Sequence, residues 1–155
     1  MKQTHWLVII FICGILLTSG CTKNEANNSL KNNVVNQTKL SKVEKVEVYH
    51  FHGHSQCSSC IAIGKYAEET INTYFTDELK SGKIVFAHVN IQLPENEELA
   101  KKYGVTGSSL WMGVYDENGF HKEENINVWY KINNKKGYMD YLKEVLTKRL
   151  NGDYT

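Results

Sequence analysis

Two cysteines three positions apart, Cys57 and Cys60, carry the most legible chemistry in this chain. A C-x-x-C pair can close into a disulfide, reopen, and pass two electrons to or from a partner by thiol–disulfide exchange. The thiolate is the attacking form, so the surroundings of the pair decide its reactivity. Ser58 and Ser59 lie between the cysteines and bring neither charge nor imidazole, so the motif does not set whether the pair reduces or oxidises. His50, His52 and His54 alternate ahead of it, and Gln56 stands directly before Cys57. Two imidazoles and two sulfurs (His52, His54, Cys57, Cys60) are also donor types that suit zinc or copper.

The flanking segments say how the pair would be held. Val46-Glu47-Val48-Tyr49-His50-Phe51 is a β-rich run. Beyond the motif, Cys60, Ile63, Ala67, Ile71, Tyr74 and Phe75 recur at three- and four-residue steps, which predicts a helix over 58–75. Cys57 would then stand at the helix N-terminus, where unpaired N–H groups and the positive end of the macrodipole favour a thiolate. Cys60, one turn further in, would be shielded and placed to resolve a mixed disulfide. An imidazolium at His54 would lower the pKa of Cys57 further. His50 reads as a strand-end residue, exposed or half-buried, and His88 and His121 as structural or surface residues. Strand alternation throws His52 and His54 to one face, whereas metal ligands must converge on a point.

Further along, 76–82 reads as a helical turn closed by Gly82, and 83–91 as a buried parallel strand. Pro94 opens a short helix with Glu95, Glu97 and Glu98 early, Lys101 and Lys102 late, and Gly104 as its stop. A strand over 110–115 leads into the turn Asp116-Glu117-Asn118-Gly119, and another strand is expected within 126–132. Tyr138, Leu142, Val145, Leu146 and Leu150 stripe one face of a last helix that ends near Gly152. The order β-α-β-α-β-β-α predicts an α/β domain, a mixed central sheet flanked by helices.

The chain has 155 residues, 41% hydrophobic and 23% charged, the proportions of one globular domain with short extensions. Lys2 is the only charge in residues 1–20, and the remainder holds 17 basic against 17 acidic side chains. A neutral chain lacks the basic footprint that nucleic acid demands, so no nucleic-acid partner is expected. Residues 6–17 form an apolar run of signal-peptide length, too short for a comfortable membrane span. Its ending, Thr18-Ser19-Gly20-Cys21, resembles the lipobox of bacterial lipoproteins. That resemblance implies acylation (palmitate-type chains) on Cys21, a lipid-bilayer anchor, and a domain on the extracytoplasmic side of a cell-envelope membrane. The expected division is a leader over 1–20, the lipidated cysteine and an Asn-, Lys- and Ser-rich flexible tether over 21–42, and a folded domain over 43–155.

That domain resembles the thioredoxin-like superfamily over roughly residues 43–150. The resemblance rests on Cys57-Ser58-Ser59-Cys60 after a strand, on Val89-Asn90-Ile91 before the Pro94 helix, and on Lys102-Tyr103-Gly104-Val105-Thr106-Gly107 leading into a strand. It implies a thioredoxin-like fold and a redox-active disulfide, with Cys57 attacking and Cys60 resolving, acting on protein thiols and disulfides. It further implies that no soluble cofactor is needed and that a membrane electron carrier resets the pair. Ser109 takes the position at which the family carries a cis-proline, so it is expected beside the disulfide. Phe51 takes the place of the family's buried acid, which leaves a proton route through histidine or water. Two competing expectations stand beside this one: copper or zinc delivery through His52, His54, Cys57 and Cys60, and a catalytically inactive adaptor.

Overall fold

The computed structural model describes residues 41–155. The expected leader, Cys21 and nearly all of the expected tether lie outside the described residues. Within them, β1 (Val43–His52), α1 (Ser58–Tyr74), α2 (Thr76–Ser81), β2 (Ile84–Asn90), α3 (Glu97–Tyr103), β3 (Ser109–Asp116), β4 (Gly119–Glu124) and α4 (Lys135–Leu150) follow in order. Short 3₁₀ turns at Pro94–Asn96 and Ile126–Lys131 complete the path.

Four strands form one sheet in the order β2-β1-β3-β4. β1 pairs parallel with β2 and antiparallel with β3, and β3 pairs antiparallel with β4. A parallel pair cannot be joined by a hairpin, so the chain between β1 and β2 must cross over, and α1 makes that crossing. This mixed sheet with its β-α-β and β-β-α halves is a thioredoxin-like α/β fold, as the element order foretells.

β1 is central and buried on both faces, and its alternation sorts the core into two layers. Val46 and Val48 join Ile63, Ala67 and Ile71 of α1 and Tyr138, Leu142 and Leu146 of α4 on one side. Tyr49 and Phe51 join Val89 and Tyr103 on the other, beneath α3. Gly82 and Gly104 end α2 and α3 in the left-handed region, both at φ 75°, which a side chain would resist.

Three expectations are corrected. β2 is parallel but is an edge strand, so most of its residues are only half-buried. The strand expected within 126–132 is instead the 3₁₀ turn Ile126–Lys131, and β4 precedes it. The pairing Asp116↔Gly119 closes the hairpin so tightly that the return strand must start at Gly119. Being an edge strand, Gly119–Glu124 has little to bury and carries only Phe120 as a large apolar residue, so its sequence shows no hydrophobic alternation. α4 begins at Lys135, one turn earlier than expected, because the Asn134 side chain accepts the Gly137 N–H at 3.0 Å and caps it.

Candidate functional site

β1 ends at His52, and a five-residue bend delivers the chain to the start of α1. Cys57 is the N-cap of α1, extended at φ −75° and ψ 164°, and its Sγ accepts the Cys60 N–H at 3.2 Å. The two cysteines are joined in a disulfide with their Cα atoms 5.1 Å apart. Cys57 is exposed and Cys60 half-buried. The first turn of α1 carries no acidic residue, so nothing local offsets the positive end of the helix dipole at Cys57. Once the disulfide opens, that dipole favours the thiolate at Cys57. Ser58 and Ser59 line a shallow cavity of about 190 Å³ together with Ala62, Ile132 and Asn133. The neighbouring Ile61 leaves 52% of its surface exposed.

Of the residues leading up to the pair, His52 and His54 are held by hydrogen bonds and Gln56 is not. Gln56 is half-buried, and its Oε1 meets no hydrogen-bond partner. His54 lies beyond the strand, in the bend, and is exposed. Its N–H donates to Gln92 Oε1 at 2.6 Å, and its Nδ1 lies 2.7 Å from the same oxygen. Gln92, a residue that the motif reading passed over, thus ties the approach loop to the segment after β2. His52 sets its Nδ1 2.8 Å from the Gly53 carbonyl oxygen, which can only accept, so that nitrogen donates. Among the described residues no group of three or more His, Cys, Asp and Glu side chains gathers as a metal-binding set. His52, His54, Cys57 and Cys60 are therefore not brought together as ligands: two imidazoles are engaged elsewhere and the sulfurs bond to one another.

His50 departs most from expectation. It is 2% exposed, not a half-open strand end. Its parity with Val46 and Val48 turns it toward α1, whereas Phe51, expected in the place of the buried acid, faces the opposite layer. A Cβ added to Gly64 of α1 would lie 2.2 Å from His50 Nδ1, so the helix can pass over the ring only because that residue is glycine. Gly64 follows Cys60 by one turn on the same helix face. His50 Nδ1 lies 2.9 Å from His88 Nδ1 on β2, where the register pairs the two residues directly. The His52 ring stacks on His50 at a centroid distance of 5.4 Å. Burial, then the nearby His88 and His52, lower the His50 pKa to about 4, against a small upward pull from the Cys60 backbone. His88, expected to be structural or a surface residue, is exposed, and its Nε2 lies 3.4 Å from Glu68 Oε2. Two signals in the sequence could have found this cluster: the parity of His50 with the valines, and a glycine interrupting a helix one turn after a cysteine.

Ser109 is buried opposite Phe51. Its hydroxyl donates to Gly107 O at 3.1 Å and accepts the Trp111 indole N–H at 3.0 Å. It shares parity with Trp111, which packs in the layer of Tyr49 and Phe51, so its side chain points away from the α1 face. Ser109 thus braces the start of β3. Glu47, which no sequence motif marks, is 6% exposed on that same face. Burial pushes its carboxyl up, but hydrogen bonds from Lys45, Tyr103, Tyr115 and Lys102 outweigh this and hold it below the ordinary carboxylate value.

The sequence matches no protein-family model and no curated protein. Among solved structures, the crystal structure of the Trx4 domain of ERdj5 is similar at 17% identity and a TM-score of 0.45, covering 70% of this chain and 85% of that one. A structure described as that of a malarial protein is similar at 16% identity and a TM-score of 0.37, covering 63% of this chain and 97% of that one. The strand order β2-β1-β3-β4 and its register define the fold.

Proposed function

We propose that this chain is a membrane-anchored, extracytoplasmic thiol–disulfide oxidoreductase that acts on protein thiols with Cys57 as attacking and Cys60 as resolving sulfur. The observation that carries the reading is the disulfide at the N-cap of α1, with one sulfur open to a partner and the other set back within the first turn. In the reducing direction the Cys57 thiolate attacks a substrate disulfide, forming a mixed disulfide and expelling one substrate thiolate. The Cys60 thiolate then attacks Cys57 Sγ, re-forming the Cys57–Cys60 bond and expelling the second substrate thiolate. Two electrons and two protons leave the dithiol, and the substrate disulfide becomes two thiols. Run backwards, the oxidised pair accepts electrons. No soluble cofactor enters, and a membrane electron carrier resets the pair. The apolar run 6–17 and Thr18-Ser19-Gly20-Cys21 support an acyl anchor on Cys21 in a cell-envelope membrane.

The chemistry is tested by assaying the full chain for reduction of insulin disulfides. Cys57→Ser should abolish turnover, and Cys60→Ser should accumulate mixed disulfides visible on a non-reducing gel. Equal activity in the two variants would end the mechanism. The anchor is tested by feeding labelled palmitate to expressing bacteria: label retained by Cys21→Ala would place the acyl chain elsewhere or remove it from the account.

A further inference from the structure

His50 has one ring nitrogen engaged and one not. Nδ1 meets His88 Nδ1 at 2.9 Å, while Nε2 is buried with no hydrogen-bond partner. The ring lies under the opening of α1, against Gly64 and with the Cys60 backbone beside it. A buried ring nitrogen without a hydrogen-bond partner is costly, and it stands ready to accept from a donor brought beside it. Reduction creates one such group within this first turn, the Cys60 thiol.

Two Nδ1 atoms in contact share one proton, and either placement is chemically complete. With the proton on His50 Nδ1, His50 Nε2 is a free lone pair and His88 Nδ1 is the acceptor. His88 Nε2–H then faces the Glu68 carboxylate at 3.4 Å, at the exposed end of the row. Each ring can accept on one nitrogen while it donates from the other.

We propose that His50 and His88 form a proton relay that takes the thiol proton of Cys60 during resolution and delivers it to Glu68 and solvent. The proposal rests on the exchange chemistry above. In the resolving step the Cys60 S–H proton moves to His50 Nε2, the His50 Nδ1 proton to His88 Nδ1, and the His88 Nε2 proton to Glu68 or water. The Cys60 thiolate attacks Cys57 Sγ, and the substrate leaves as a thiolate that is protonated from solvent. Both rings end neutral with their tautomers exchanged, and the oxidising direction runs the row in reverse.

Handing the proton on matters because of the burial of His50. With its pKa held at about 4, His50 is a poor store for the proton of a thiol that ordinarily titrates at about 8.5. Passing it through to His88 avoids an imidazolium in the interior. The groups facing His50 are His52 on its own strand, His88 on β2, Cys60 on α1, and Glu68 beyond His88. Leu110, opposite on β3, carries no charge.

The test uses the reduced full chain in detergent, carrying Cys13→Ser and Cys21→Ser so that Cys57 and Cys60 are its only thiols, mixed rapidly with Ellman's reagent. The first release of thionitrobenzoate reports attack by one cysteine, and the second reports resolution by the other. Wild type should resolve at a rate that changes little between about pH 6 and 8. In His50→Leu and in the surface variant His88→Ala, resolution at pH 6 should fall by about 10-fold or more, the lower range for loss of a positioned base, and recover as pH rises. The first phase should be unchanged, and added imidazole should restore His88→Ala. Should His50→Leu fail to fold, His88→Ala decides alone. Variant profiles that superimpose on wild type overturn the relay and leave the exchange chemistry standing. A wild-type chain that shows no second phase overturns both.

Discussion

Replacing Gly64 by alanine tests the packing on which the site depends. A methyl at this position would lie 2.2 Å from His50 Nδ1, 2.6 Å from Cε1 and 2.8 Å from Cγ, all inside contact distance. The ring cannot swing clear as a free side chain would, because His88 meets it edge-on at a centroid distance of 5.1 Å and His52 stacks on it. Intrinsic helix propensity favours Ala over Gly in a helix interior by about 1 kcal/mol. Overpacking a filled site costs about 1–3 kcal/mol. The clash with a whole buried ring places this site in the upper part of that range, so the net expectation is a loss of about 1 kcal/mol. For a domain of about 100 residues that lowers Tm by about 4–8 °C. The assay is thermal unfolding of the oxidised full chain followed by circular dichroism, with His50→Ala and the double variant completing a cycle. Removing the ring should make Gly64→Ala neutral or stabilising, with a coupling of about 1–2 kcal/mol. A Gly64→Ala protein that melts at or above wild type, or a cycle with no coupling, would refute the close passage of α1 over His50.

The depressed pKa of His50 also makes stability depend on pH. Above about pH 6.5 the ring is neutral in folded and unfolded chains alike and contributes nothing; below it the unfolded chain gains a proton that the folded chain refuses down to about pH 4, so stability falls across that window. Between pH 7.5 and 5.0 the ceiling is about 2 kcal/mol, and about 1 kcal/mol after solvent screening at the open end of the cluster. Urea unfolding at the two pH values should show this loss in wild type and not in His50→Leu, and equal losses would refute it. Tyr138→Phe removes a buried hydroxyl that donates to Ile63 O at 2.8 Å and ties α4 to α1. It should lower unfolding free energy by about 1–2 kcal/mol in urea titration, and a change near zero would show that this bond adds nothing to the docking of α4.

The features that depend on local spacing were legible in the sequence. The apolar steps from Ile63 to Ile71 place α1, the acids and lysines around Pro94 place α3, and Asn118-Gly119 places the hairpin, because each is written within a few consecutive residues. The position of Cys57 at a helix start follows from the same local logic. What needed the tertiary structure were relations between residues distant along the chain. Gln92 reaches His54 from 38 positions away, and His88 meets His50 across the same interval, through a parallel pairing whose register no local pattern records. β4 went unrecognised because an edge strand has little to bury and therefore no hydrophobic alternation to show. A histidine on a strand can equally face water or a helix; the valines two and four places earlier and the glycine of the crossing helix decide that His50 lies inside. The motif could name the reacting sulfurs, but only the stacking of α1 on the sheet put a buried imidazole beneath them.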